Sequence, residues 1–311
     1  MSHRFRVSAL QWVSSLVVLL CGVPAMAKGV ERPESVELRW KVARAPQRYV
    51  LSVRRLPEGT GMIRHEPSAV SLWGLPEEER AKGGALLMPS ELELSAELSR
   101  LPSGDVSAQV KMTRVVDAAP EEDSPAAVRR RRIFQALEGQ VVASSSMMDI
   151  GVITAQVSPV QHNLVALLFE LPGRRVAVGD TWTHSADLVG ARSAFDMMFW
   201  EEERSVRVNR VRLAALVREA KGRTVAVIDF TLIAQDQGDY VSWGPGRKRV
   251  PASDAAHYVG RGEFLVEEGR WRSLSGEIAL RASGGVLAMD LAHRFTMMPV
   301  DSTPAGGLKA R

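Results

Sequence analysis

The feature that most constrains this chain is a two-residue alternation of apolar and polar side chains that keeps returning along its length. Leu92, Leu94, Ala96 and Leu98 alternate with Glu91, Glu93, Ser95 and Glu97. Residues 101–105, Leu-Pro-Ser-Gly-Asp, turn the chain, and Val106, Ala108, Val110 and Met112 return with polar residues between them. Successive side chains of a strand point to opposite faces, so this pattern makes two antiparallel strands with one dry and one wet face. On a helix the same apolar residues would be spread around the axis and could not be buried together. Residues 36–42 follow the rule too, with Val36, Leu38, Trp40 and Val42 set against Glu37, Arg39 and Lys41. Pro46 lies in the turn to a second predicted strand over 49–54.

Taken in order, the rest of the chain reads as further hairpins with a few helical interruptions. Gly59, Gly61, Gly74, Gly83, Gly84 and several prolines break the pattern over 56–89, a long excursion in which residues 76–80 offer at most a short helix. An acidic, proline-containing linker over 117–125 leads to Ser124 as cap and Pro125 as first residue of a predicted helix through Ile133, Phe134 and Leu137 to Gly139. Strands are predicted over 140–146 and 150–157, and Ser158-Pro159 opens an apolar helix over 160–171. In the second half, Val211, Leu213, Ala215 and Val217 run into a turn at 219–223. The return over 224–234 is apolar on both sides, as a more buried strand requires. Asn209-Arg210 shifts the phase of Val206 and Val208 relative to that strand, which predicts a bulge. A loop over 235–255 precedes predicted strands at 262–266, 275–281 and 286–297.

These elements predict a mainly β fold, with α+β as the alternative: a large antiparallel sheet, curved or in two layers, with two or three packed helices. One domain spans 36–300, after a short mobile lead at 28–35 and before a mobile tail at 301–311. The repeated hairpins raise the expectation of two similar halves, 36–157 and 176–300. A composition of 45% hydrophobic and 24% charged residues over 311 positions is that of a chain with a sizeable core.

Residues 171–182, Leu-Pro-Gly-Arg-Arg-Val-Ala-Val-Gly-Asp-Thr-Trp, punctuate the middle of the chain. Pro172 and Gly173 stop the preceding helix, Val176 and Val178 point the same way along a short extended piece, and Gly179-Asp180 turns into a strand start at Trp182. A buried Trp removes roughly 150 to 250 Å² from water, so Trp182 is expected to anchor this corner. The pattern Leu-Pro, then Val-x-Val-Gly-Asp-x-Trp, resembles the central signature of a family of exported bacterial proteins of unknown function. Leu137-Glu138-Gly139 and Asp149-Ile150-Gly151 extend the resemblance to the flanks. The resemblance implies an extracytoplasmic location and a β-rich fold, and it carries over no catalytic residue.

The first 27 residues have the order of a signal peptide. His3, Arg4 and Arg6 form a basic start, residues 13–23 are apolar, and Ala25-Met26-Ala27 is a small-x-small cleavage site. The apolar run is too short for a membrane span, and no later run is longer, so no transmembrane span is expected in the mature chain. The single cysteine, Cys21, lies within this segment. A chain cut after Ala27 has neither disulfide nor thiolate chemistry. The expected location is periplasmic or secreted; the alternative is a lipid anchor on Cys21, against which stands Leu20, where a lipoprotein signal has a small residue. The precursor's net charge of +4 becomes +2 when Arg4 and Arg6 leave, which is no nucleic-acid signature.

Motifs that carry chemistry are missing: the sequence has no phosphate loop, zinc helix, nucleophile elbow or dinucleotide turn. His65, His162, His184, His257 and His293 lack ligand spacing, and no metal or cofactor is expected. His293 lies on an apolar strand face with Leu287, Met289, Leu291, Phe295 and Met297, where a buried imidazole needs a hydrogen-bond partner. The pairs Met147-Met148, Met197-Met198 and Met297-Met298 read as core filling, since neighbouring strand residues face opposite ways. Arg129-Arg130-Arg131-Arg132 fans around a helix, Glu201 and Glu203 share a strand face, and the 236–239 loop is too sparse for calcium.

The expectation is therefore a non-enzymatic, exported cell-envelope protein, a binding or structural module that acts through a surface or an apolar ligand cavity. Its partner would be an apolar small molecule or another envelope protein, and the lining candidates are Trp182, Phe195, Phe199, Met289, Leu291, His293 and Phe295. The alternative is an extracytoplasmic enzyme whose site has no recognised motif.

Overall fold

The computed structural model describes residues 34–57, 89–116, 128, 132, 135–155, 158–188, 198–242, 246–247, 249–284 and 289–300. Ten strands form one antiparallel sheet: β2 (Gln47–Arg55), β3 (Glu91–Arg100), β4 (Val106–Val116), β5 (Val141–Met147), β7 (Thr181–Trp182), β8 (Met198–Arg218), β9 (Thr224–Ser242), β10 (Arg249–Leu265), β11 (Arg270–Gly284) and β12 (Met289–Pro299). Their order, β5-β4-β3-β2-β12-β11-β10-β9-β8-β7, joins two meanders along β2 and β12, and the sheet does not close into a barrel. A second sheet pairs only β1 (Ser35–Glu37) with β6 (Arg175–Ala177). One helix, α1 (Pro159–Phe169), is described in full.

The sheet wraps around that helix. Nine inter-strand spacings make a flat ten-stranded sheet about 43 Å wide, whereas a helix with its side chains is about 10–12 Å across. Yet one continuous core contains Val110 of β4, Ala143 of β5, Val165 and Phe169 of α1, Tyr258 of β10, Trp271 of β11 and Leu213 of β8. Only a curved sheet brings residues near both of its edges to the same small helix.

Local sequence chemistry explains the helix limits. Ser158 caps α1, its Oγ accepting from the Gln161 N–H at 3.4 Å, and Pro159 occupies the first turn, where its missing N–H costs nothing. Val165, Ala166, Leu167, Leu168 and Phe169 are all buried, so the second half of the helix is dry on every side. Gly173 then takes a φ of 66° and Gly179 one of 96°, the left-handed turns that the punctuated stretch predicts.

Several strand expectations shift. Residues 38–42 do not form a hairpin with β2. Only residues 35–37 pair, and with β6, because Leu38, Trp40 and Val42 are all pulled into the core while Trp40 N–H and Lys41 N–H bond the Asp149 and Gly269 carbonyls. Residues 150–155 are not a strand: Gly151, at φ 82°, turns the chain at residues 149–151, and only a bridge from Met147 to Ile153 remains. Val178 lies in the following turn and is exposed, so it does not share the buried side of Val176. The bulges of β8 fall at 202–204 and 213–215, not at Asn209-Arg210; Val206 and Val208 keep phase and simply face outward. Because of the first bulge, Glu201 and Glu203 do not hold a simple shared face: Glu202 lies opposite Gly238 and Arg204 opposite Gln237, with Glu203 extra.

The loop expected over 235–255 is mostly strand. β9 continues to Ser242 and β10 begins at Arg249, and the polar run pairs residue for residue, Gln237 with Ser253 and Asp239 with Pro251. Pro251 lies one position before Ala252, where the described pairing with β11 begins, near the start of β10, a place in a sheet that tolerates proline. The excursion at 58–88, the linker at 117–125 and the tail at 301–311 lie outside the described residues. Of the helix predicted from Ser124, the described positions Val128, Arg132 and residues 135–137 are helical, and Gly139 at φ 81° follows them.

Candidate functional site

Register sets the predicted lining residues on the inner face of the sheet. Trp182, Val211, Phe230, Gly260, Gly276, Phe295 and Val53 form one row from β7 through β12 to β2. The next row carries Asn209, Leu232, Tyr258, Ile278 and His293. Leu291, His293 and Phe295 are buried, and Trp182 is half-buried against the core. For Phe199 and Met289 the backbone position is described, opposite Val241 and Ala282, and Phe195 lies outside the described residues.

Where these residues are described, protein fills the concave face. Two inward glycines leave room for rings: a Cβ on Gly262 would lie 2.7 Å from the Trp271 ring, and one on Gly276 2.8 Å from the Phe295 ring. Phe295 stacks on Tyr258 with centroids 5.2 Å apart, and Trp40, Phe264 and Trp271 meet edge to face at 5.2 to 6.2 Å. The buried end of α1 completes the filling. The last four carbonyls of a helix have no partner within it, and burying them unpaired is costly. Here all four are met: Glu170 N–H donates to Ala166, Tyr258 Oη–H to Leu167 at 3.3 Å, Trp271 Nε1–H to Leu168 at 2.8 Å and Trp40 Nε1–H to Phe169 at 2.9 Å. Burial pushes the Tyr258 phenol upward in pKa and keeps it a donor.

Beside this end lies the polar cluster that sequence reasoning passed over. After β7 the chain crosses from β8 toward α1 as a strap, residues 183–188, held by two asparagines that imitate a strand neighbour. Asn209 accepts from the His184 N–H at 2.8 Å and donates to its carbonyl at 2.7 Å; Asn163 accepts from the Asp187 N–H at 2.9 Å and donates to its carbonyl at 2.5 Å. Glu170 Oε2 accepts both the N–H and the hydroxyl of Ser185 at 2.8 Å, and His162 Nε2 lies 2.9 Å from the same hydroxyl. With the hydroxyl proton given to Glu170, His162 is the donor in that second contact. Asn163 and Asn209 lie 46 positions apart in the chain and show no motif; only the fold brings them to one strap.

Electrostatics divide the cluster. His184 is buried beneath the strap, edge-on to Phe230 at 5.6 Å, and burial holds its pKa down at about 4, partly offset by the Ala166 carbonyl. Its Nδ1 lies 3.7 Å from Glu170 Oε2, a distance that makes an ion pair only if the imidazole carries a proton, which its burial opposes. Burial raises the Glu170 carboxyl, against the lowering effect of Ser185. His293 is lowered as well, by burial and then by Arg55, with a backbone hydrogen bond at Pro89 acting the other way. Its Nε2 has no partner, so the buried imidazole is only half satisfied.

The arrangement can order the strap, but it does not form a relay in which an acid orients a histidine that activates a serine: the carboxylate contacts Ser185, and His162 Nδ1 is buried without a partner. A pocket of about 30 Å³ opens between strap and sheet, lined by Ala186, Asp187, Leu188, Arg207, Asn209 and Leu232 among others. That is space on the scale of a water molecule, against roughly 300 Å³ or more for a small-molecule site.

Cross-strand ion pairs lie on the other face: Arg261 binds Asp229 at 2.7 Å and Arg48 binds Glu97 at 2.8 Å, while Arg294 reaches the buried Glu277 at 2.9 Å, each directly opposite its partner. Met147 and Met297 are buried while Met148 and Met298 are exposed, so neither pair chelates. Among the described residues no group of three His, Cys, Asp or Glu is placed to hold a metal, and no helix is long and apolar enough to cross a membrane. Compared with protein-family models, curated proteins and solved structures, the chain matches none of them.

Proposed function

We propose that the chain is an exported cell-envelope protein that works as a binding or structural module through its exterior, without catalysis. One observation carries this reading: the inner face of the sheet is occupied by the protein's own helix end, with every terminal carbonyl of α1 paired to Glu170, Tyr258, Trp271 or Trp40. An interior so filled makes a rigid body whose contacts with other molecules are made outside. The basic start, apolar run and Ala25-Met26-Ala27 site support export. Fractionation of the source cells with N-terminal sequencing, followed by cross-linking in the intact envelope, tests the reading. It expects a mature chain beginning at Lys28 outside the cytoplasm and cross-linked to an envelope component. A cytoplasmic chain that keeps its first 27 residues contradicts it.

A specific geometry favours the enzyme alternative: the exposed Ser185 hydroxyl lies within hydrogen-bond reach of both His162 and the half-buried Glu170. That reading expects covalent labelling by a serine-directed fluorophosphonate that Ser185→Ala abolishes. The module reading expects no labelling of Ser185.

A further inference from the structure

The strap over 183–188 is an extended piece with an inner and an outer side. Thr183, Ser185 and Asp187 are exposed, while His184 and Ala186 are buried and Leu188 is half-buried. His184 lies edge-on to Phe230 of β9, Ala186 lies beside Leu232 and Ala234, and Leu188 packs against Ala234 and Ala256. Of the three inward side chains only the imidazole can take up a charge. It is also the only described histidine with neither ring nitrogen in a hydrogen bond, so a proton added there enters a dry site with no acceptor in bonding geometry.

The groups around His184 give that proton no lasting partner. On α1, Glu170 Oε2 lies 3.7 Å from Nδ1, but it already accepts the N–H and the hydroxyl of Ser185. Burial raises the Glu170 carboxyl, so falling pH neutralises it before the imidazole charges at about 4. His162, also on α1, faces Ser185 and acts on Glu170 as a cation, and the Ala166 carbonyl favours a charged His184 without outweighing its burial. On the sheet side, Asn209 of β8 and Phe230 of β9 carry no charge. Arg207 of β8 is paired with Asp236 of β9 and feels Asp187 of the strap, and Tyr258 of β10 stays a neutral donor to Leu167. Lifting the strap hydrates His184 and restores its ordinary value of 6.5, so lifting becomes easier as pH falls from about 6.5 toward 4. Glu170 works the other way, because its raised carboxyl holds a proton more tightly while the strap is down, but the shift at His184 is the larger of the two.

We propose that the strap is an acid-released clasp: a proton taken up by His184 beneath it lifts residues 183–188 off α1 and β8 while the ten-stranded sheet stays folded. The inference is independent of the export reading. Amide-resolved hydrogen exchange of the full chain between pH 7 and 4, corrected for the pH dependence of the chemical step, tests it. The reporters are the His184 and Asp187 amides, because their acceptors, Asn209 and Asn163, do not titrate. Their protection is expected to fall together by up to about a hundredfold, with the amides of β10 and β11 still far better protected. His184→Phe and His184→Leu fill the inner position with a side chain that takes no proton, and in either one strap protection is expected to hold or rise with acid, as Glu170 alone dictates. His162→Gln is expected to keep the acid dependence of the parent. Four results each overturn the proposal, and the first two need no substitution: strap protection that is flat across the range; strap and β10 amides that fall to one common value, so that acid unfolds the chain all at once; a His184 variant whose strap opens with acid as the parent's does; or acid opening that His162→Gln abolishes.

Discussion

Trp40, Tyr258 and Trp271 each give one polar hydrogen to the same helix end, and that is where single residues carry most consequence. Trp271→Phe keeps most of the ring and leaves the Leu168 carbonyl buried without a donor, a loss of roughly 1–3 kcal/mol for the orphaned group alone. Urea unfolding is expected to show that loss for Trp271→Phe and Trp40→Phe, and a smaller one for Trp182→Phe, whose Nε1 has no partner to lose. His184 sets a pH dependence. In the unfolded chain its imidazole takes a proton near 6.5, whereas in the folded chain it stays neutral down to about 4. Its contribution is therefore fully present above 6.5 and is lost as pH falls toward 4, by on the order of 3 kcal/mol. His293, also lowered, acts in the same direction. Glu170 acts oppositely, because its raised carboxyl keeps a proton in the folded chain to higher pH than in the unfolded one, which favours the fold as pH falls. Unfolding midpoints measured across this window are expected to fall with acid in the parent and to fall much less in His184→Phe.

At the level of elements, the strap over 183–188 is held chiefly by side chains, and it is expected to open before the sheet does. Asn209→Ala removes two hydrogen bonds to His184 and is expected to cost about 1–2 kcal/mol. Hydrogen exchange is expected to speed up at the His184, Ser185 and Asp187 amides while β10 and β11 stay protected. The turn at Gly151 is less forgiving. At φ 82°, with an added Cβ 2.5 Å from both the Leu171 backbone nitrogen and its Cβ, Gly151→Ala is expected to cost about 3 kcal/mol or more and to lower the melting temperature sharply.

The same elements show what could be read from the chain beforehand. β3, β4 and α1 were legible because alternation, a Pro-Ser-Gly-Asp turn and a Ser-Pro cap act within a few residues. The course of residues 38–42 was not, since Leu38, Trp40 and Val42 alternate as a strand does but are drawn inward by Phe169, Phe264 and Trp271, far away in sequence. Polar strands such as residues 235–242 were hidden because a strand paired on both sides needs no apolar code when its side chains are held by ion pairs, as Asp236 is by Arg207. The strap cluster was illegible for a third reason: Asn163, Glu170, Ser185 and Asn209 acquire their roles only when α1 lies beside β8.

For the whole molecule, a sheet about four helix diameters wide when flat has rolled around one helix and sealed it with aromatic rings. The apolar interior is thus devoted, among the described residues, to the protein's own chain, and its exterior is what it presents to others. Native mass spectrometry of the mature protein purified from its own envelope fraction, with organic extraction of whatever stays bound, tests this most directly. The account predicts the bare polypeptide mass with no apolar molecule in the extract. A stoichiometric lipid or other apolar ligand, released by extraction and lost in a Trp182 or Phe295 variant that still folds, would contradict it.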